Sequence, residues 1–222
     1  MENVKIYLAS ASPRRQQMIS WIIPEFVCMP ADIDETPLSG ELPAPYCQRM
    51  ATGKALHCAE LLREDAFIVG SDTTVYINHQ ILGKPKDADE AEEMLKMLNG
   101  KKHLVCTAVT LARRLNGKIR FLESASEVAV RFRDMGRDEI LDYVASGDPM
   151  GKAGAYAIQN RVFHPVESIR GCYAAVMGLP LCHLGVLFHR FGYDTFPQIR
   201  SACTAGTKYP CSYIPIVDVT EG

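Results

Sequence analysis

The chain opens on an alternation. Val4-Lys5-Ile6-Tyr7-Leu8-Ala9 places apolar side chains at every second position and predicts a strand. It runs into Ser10-Ala11-Ser12-Pro13-Arg14-Arg15 and a helical stretch from Gln16 to Ile22, with Ser12 placed as N-cap and Pro13 as first helical residue. Glu25 to Met29 predicts a second strand, followed by the polar loop Ala31 to Pro37. Pro45 to Arg63 reads as a helix. Phe67-Ile68-Val69 reads as a short strand ending at Gly70-Ser71-Asp72-Thr73-Thr74, with Val75-Tyr76-Ile77 continuing it to a turn at Asn78-His79.

Further on, Asp87 with Glu90 forms a capping-box pattern. Ala88, Ala91, Met94, Leu95 and Leu98 then share one helical face, and Asn99-Gly100 stops the helix. Leu104 to Leu111 and Ile119 to Phe132 flank Asn116-Gly117, a strong hairpin signal. Arg137 to Val144 predicts a short helix closed by Gly147-Asp148-Pro149, and Pro180 to Phe191 the last helix. Beyond Phe191 the period decays, and Ser201 to Gly222 reads as a loose tail or a packed appendage. No repeat or linker divides residues 4–192. The expected class is mixed α/β with a substantial antiparallel component, organised as one domain over 1–195 and a tail over 196–222.

Composition narrows the partners. The 222 residues are 47% hydrophobic and 23% charged, as in ordinary globular proteins. With 24 Lys+Arg against 26 Asp+Glu the net charge is −2, so nucleic acid is not the expected partner, because phosphate neutralisation needs a basic excess. The longest apolar run, Ala174 to Phe188, is broken by Gly178, Pro180 and His183 and falls short of the about 20 residues of a membrane span. The N-terminus does not read as a signal peptide. Eight cysteines without a C-x-x-C or paired zinc spacing read as mostly small buried hydrophobes in a reduced, cytoplasmic protein.

Candidate chemistry begins at Ser10-x-Ser12-Pro13-Arg14-Arg15. Two arginines in a first helical turn oppose the helix dipole, which makes sense where an anion sits; alone, the solvated reading is the simpler one. Asp72 at a strand end suits a rigid catalytic group, or a turn. Glu35 lies in an acidic loop, and Lys54, Lys84 and Lys152, each taken alone, read as solvated surface charges. No dinucleotide, P-loop, zinc-protease or serine-hydrolase motif is present, and the six histidines show no ligand spacing. Carboxylates with lysines and arginines point to phosphate handling with an oxygen-ligated divalent cation, Mg²⁺ or Mn²⁺.

The order S-x-S-P-R-R, D-E-T, a helical Lys, S-D-T, G-K-P-x-D-x-x-E-A-x-x-M-L, L-N-G-x-x-H-x-V-x-T-A-V, G-K-A-G-A-Y-x-I-Q and V-M-G-L-P-L closely resembles the Maf family over about residues 4–192. That resemblance implies an elongated α/β fold with two lobes around a deep cleft, similar to the inosine-triphosphatase fold. It also implies hydrolysis of a nucleoside triphosphate to the monophosphate and pyrophosphate with a divalent metal. It puts the catalytic carboxylate on Asp72, with Glu35 as its partner in catalysis or metal binding. Phosphate and metal-site roles fall on Ser10, Arg14, Arg15, Lys54, Lys84 and Lys152. Arg14, Thr73 and Gln159 match the combination of the dTTP/UTP branch. Gly151, Asn160 and Ala175 depart from residues common in relatives. The competing expectation is a nucleotide-binding regulator of division with vestigial hydrolysis, and removal of the terminal phosphate alone is the rival chemistry. A homodimer stays open as the assembly state.

Overall fold

The computed structural model describes residues 4–193, 198–213 and 217–222. Its elements run β1 (Lys5–Leu8), α1 (Pro13–Ser20), β2 (Val27–Cys28), α2 (Pro43–Leu61), β3 (Ala66–Ile77), β4 (Gln80–Leu82), α3 (Ala88–Leu98), β5 (Lys102–Leu115), β6 (Lys118–Phe132), α4 (Arg137–Ala145), β7 (Val166–Arg170), α5 (Tyr173–Met177), α6 (Leu181–Arg190), α7 (Ile199–Thr207) and β8 (Thr220–Glu221). The mixed α/β class holds. One eight-stranded sheet has the order β2-β1-β3-β5-β6-β7, with β4 on β3 and β8 on β6. β1 runs parallel to β2 and β3, and the other pairs are antiparallel.

The period of two decides which residues meet. On β3, Phe67, Val69, Val75 and Ile77 join a core that includes Met18 and Ile19 of α1, Leu95 and Leu98 of α3, and Leu184 and Leu187 of α6. Ala66, Ile68 and Tyr76 point the other way, into the apolar layers beneath α2 formed with Cys47, Ala51, Ala55 and Cys58. Gly70 sits on that second face and lets α2 rest directly on the strand. A Cβ there would stand 2.2 Å from the Ala51 carbonyl oxygen and 2.8 Å from the Ala55 Cβ. The Asn116-Gly117 turn takes positive φ at both residues, as a two-residue hairpin between right-twisted strands requires.

One expectation needs correction, and two are completed by the structure. β3 does not end near Asp72: it is one strand of 12 residues, because β5 pairs with it from Ala66↔Arg114 to Tyr76↔Leu104. The run Gly70 to Thr74 is polar without being a turn. Its other edge is the unusual one, since β1 pairs only as far as Val69 and β4 begins only at Val75, leaving residues 70–74 unpaired along that edge. Second, Ser12 occupies the N-cap of α1 but its side chain makes no capping hydrogen bond. Third, the tail is the packed appendage of the two alternatives. Its α7 is amphipathic, with Ile199, Ala202, Cys203 and Gly206 at helical spacing on one side. On that side Ile199 reaches Gly185 of α6 and Gly206 lies against Trp21. Tyr209 stacks on Tyr173 with ring centroids 4.5 Å apart, and Thr220–Glu221 adds to the edge of β6 at Leu122 and Glu123.

A basic cleft with a carboxylate pair at its floor

Asp72, Thr73 and Thr74, in the stretch where one edge of β3 lacks a partner, form the floor of a cleft of about 980 Å³. Ser10, Arg14, Arg15, Glu35, Lys54, Asp72, Thr73, Lys84 and Lys152 all line it. Gln159 does not: it follows the lining residue Ile158 and its side chain is exposed. Val75, Ile81, Leu82, Val105, Val176 and Met177 supply an apolar part of the wall, together with the ring of Tyr156.

Asp72 and Thr73 are neighbours on opposite faces of β3, and each gathers a different group. On the α2 face, the Lys54 ammonium lies 2.7 Å from Asp72 Oδ1 and 2.6 Å from Glu35 Oε1. Lys54 is therefore buried rather than the solvated surface charge its helix suggests, because two carboxylates come to it from elsewhere in the chain. Thr74 donates to Asp72 Oδ2 at 3.4 Å, and the Cys47 thiol donates to the Asp72 backbone carbonyl at 3.3 Å. The loop carrying Glu35 is fastened to α2. Tyr46 Oη donates to the Glu35 carbonyl at 2.9 Å, and Arg49 holds both the Thr36 carbonyl and the Glu41 carboxylate. Burial raises the Glu35 pKa, but the Lys54 ammonium, with Lys84 and Arg15 behind it, holds the carboxyl below its ordinary value. Burial, with the Asp72 and Glu35 charges nearby, pushes the Tyr46 phenol up to about 12.

On the other face, Arg15 is aimed rather than solvated. Its Nε donates to the Gly178 carbonyl at 2.8 Å and its Nη2 to Thr73 Oγ1 at 3.0 Å. Thr107 donates to Thr73 Oγ1 at 3.1 Å, and Ser71 donates to the Gly178 carbonyl at 3.1 Å. Burial draws the Arg15 pKa down, and burial with the adjacent Arg15 charge does the same for Arg14. Both stay cationic at neutral pH. With no side-chain cap and no acidic residue in its first turn, α1 presents its N-terminus and two guanidinium groups to the cleft, an arrangement that favours an anion.

At a third point Lys152 is held by Asp148, through the backbone carbonyl and through Oδ1 at 3.2 Å. Tyr143 donates to Asp148 Oδ2 at 2.8 Å. Burial raises the Asp148 pKa, yet the Tyr143 and Asn160 hydrogen bonds and the Lys152 charge leave it lowered. Sequence reading took Asp148 only as part of a helix stop; its i, i+4 spacing to Lys152 was the available signal. Lys84 is exposed at the cleft wall.

Among the described residues no three His, Cys, Asp or Glu side chains are grouped to hold a metal. Asp72 and Glu35 nevertheless fit an implied Mg²⁺ or Mn²⁺. They offer hard carboxylate oxygens in a cleft with room for water and phosphate oxygens, which complete the coordination of such ions.

An α/β protein with a cation-lined cleft over a paired carboxylate floor is a protein built to take a polyanion. The family model described as Maf-like protein matches residues 5–191, and the chain belongs to the Maf family. Relatives named dTTP/UTP pyrophosphatase occur in Geobacter sp. (strain M21) and in Citrifermentans bemidjiense. They are 46% and 45% identical over 185 residues, spanning 83% of this chain and 94% of each relative. The dTTP/UTP pyrophosphatase of Pelotomaculum thermopropionicum is 41% identical over 190 residues, 86% of this chain and 98% of the relative.

Proposed function

We propose that this chain is a nucleoside triphosphate pyrophosphatase that hydrolyses dTTP and UTP to the monophosphate and pyrophosphate. The observation that carries the reading is Lys54 bridging Glu35 and Asp72 on the floor of a cleft lined by Arg14, Arg15, Lys84 and Lys152. The names of the relatives support the same substrates.

Asp72 and Glu35 would hold the divalent cation, which supplies neutralising charge and Lewis acidity at the triphosphate. The chain does the rest. Arg14, Arg15, Lys84, Lys152 and the open first turn of α1 bind the β- and γ-phosphates, with Ser10 beside them. There they stabilise the charge that builds on the departing pyrophosphate. A carboxylate of the floor pair orients a water and takes its proton as the oxygen attacks the α-phosphorus and the bond to the bridging oxygen breaks. Lys54 holds that carboxylate in place. The apolar wall with Tyr156 suits a pyrimidine and the thymine methyl, and Gln159, one residue beyond the lining Ile158, would contact the base at the rim. Catalysis belongs to residues 1–195, and among the described residues of 196–222 none lines the cleft. Among the described residues no helix is long and apolar enough to cross a membrane. The eight free thiols suit a cytoplasmic site of action.

A panel of dTTP, UTP, GTP and ATP with Mg²⁺, reading pyrophosphate and orthophosphate separately, tests this. Pyrophosphate released with monophosphate, and highest kcat/KM on dTTP and UTP, is expected. Orthophosphate alone overturns the reaction, and a purine at the top of the series overturns the base assignment.

A further inference from the structure

Away from the cleft, four of the eight cysteines meet at one point. Cys172 at the N-cap of α5 and Cys182 on the first turn of α6 come from the region that the family model covers. Cys203 on α7 and Cys211 beyond it come from the tail. All four line one small pocket with Tyr173, Arg200 and Tyr209, and all four are free thiols. They are not a metal cage. They are two pairs of thiols on two chain segments that have no covalent link at this place.

The four are not equivalent. Cys172 and Cys203 are buried, and burial pushes their thiols up to about 11 and about 12, so they stay protonated. Cys182 and Cys211 are part-exposed and open to a small oxidant. Arg200 lines the same pocket, held by donating to the Tyr213 carbonyl at 3.2 Å. Burial and the neighbouring Cys211 sulfur push the Cys182 thiol up, and the Arg200 charge only partly offsets them.

We propose that Cys182 and Cys211 are an oxidation site that closes into a reversible disulfide, fastening the tail to the catalytic core. The Cys182 thiolate attacks one oxygen of a hydroperoxide. The O–O bond breaks, the sulfur becomes a sulfenic acid, and the other oxygen leaves as alcohol or water. The Cys211 sulfur then displaces the hydroxyl, which leaves as water with the Cys211 proton. Two thiols give up two electrons, and the peroxide takes both. A dithiol reductant reverses the step.

The test oxidises the full chain with hydrogen peroxide in a Cys28→Ser background, which removes the exposed thiol, and maps disulfides by mass spectrometry of non-reduced peptides. The expected result is one bridge joining the peptide of Cys182 to that of Cys211, with two fewer free thiols. Tm should rise by roughly 5 °C or more, reversed by reductant, since the bridge closes a long loop. Cys211→Ser, a change in the tail coil that leaves the fold intact, should abolish the bridge and the Tm shift, whereas Cys203→Ser should keep both. No loss of thiols under oxidation overturns the proposal, and so does a bridge between Cys203 and Cys211 or any bridge to Cys172.

Discussion

The two ends of the cleft each tie a lysine to a carboxylate, and they do so by opposite means. At the floor, Lys54 of α2 is buried between Asp72 on β3 and Glu35 in a fastened loop, three segments brought together by tertiary packing. At the other end, Lys152 bonds to Asp148 four residues away, within a single loop. The first arrangement cannot move without disturbing the sheet. The second can let its lysine go by rotating one side chain. A floor that must place a water and a metal within tenths of an ångström wants the first kind, whereas a hand that must receive and then release pyrophosphate wants the second.

Breaking the rigid end should cost most. Asp72→Asn is expected to lower kcat and kcat/KM together by about 10²–10⁴-fold while Tm changes little, because the amide keeps the shape but not the charge. Comparable kcat in the variant and wild type would favour the regulator reading instead. At the loose end, Asp148→Ala should act more gently. With Lys152 freed, kcat/KM should drop on the order of tenfold or less, through KM more than kcat. An effect as large as that of Asp72→Asn would erase the contrast between the ends.

A test of stability rather than turnover separates both ends from the frame behind them. The carboxyl pKa values of Glu35 and Asp148 are lowered, so both ends keep their charge into mild acid. His103 and His183 are buried, and burial holds each imidazole down to about 4. A histidine depressed in the folded state takes up protons first in the unfolded state, so stability falls as pH drops from the ordinary histidine value toward 4. Each contributes about 3 kcal/mol across that window. Urea midpoints should decline from pH 7 to pH 4.5, with His103→Gln flattening the slope. A flat profile in wild type would show that the imidazoles are not the weak point.

The legibility of this molecule follows the same division. The resemblance in motif order, and not any period, grouped nine residues on one cleft, since Glu35, Lys84 and Lys152 lie in loops that carry no period. Lys54 was misread when taken alone, since nothing within its helix announces Glu35 or Asp72 as partners. The continuity of β3 was also hidden. Gly70 to Thr74 has the composition of a turn, and only the long register with β5 keeps it extended. In α7 the period runs through one Ile and otherwise small residues, Ala202, Cys203 and Gly206, so the side that meets Trp21 and Gly185 has no cluster of large apolar residues to announce it. Gln159 was read from family resemblance, and its place outside the cleft is a matter of loop path that no period encodes.

The direct seating of α2 on Gly70 has a consequence for inheritance. Most helix–sheet contacts are cushioned by side chains that can trade a methyl for a rotamer, but here two backbones touch without a gasket between them. A single methyl at position 70 must lift the helix, and Lys54 rises with it, away from Asp72. A lineage is thus free to rewrite much of the surrounding wall, one conservative exchange at a time. At this spot, which no nucleotide touches, it has no small step available.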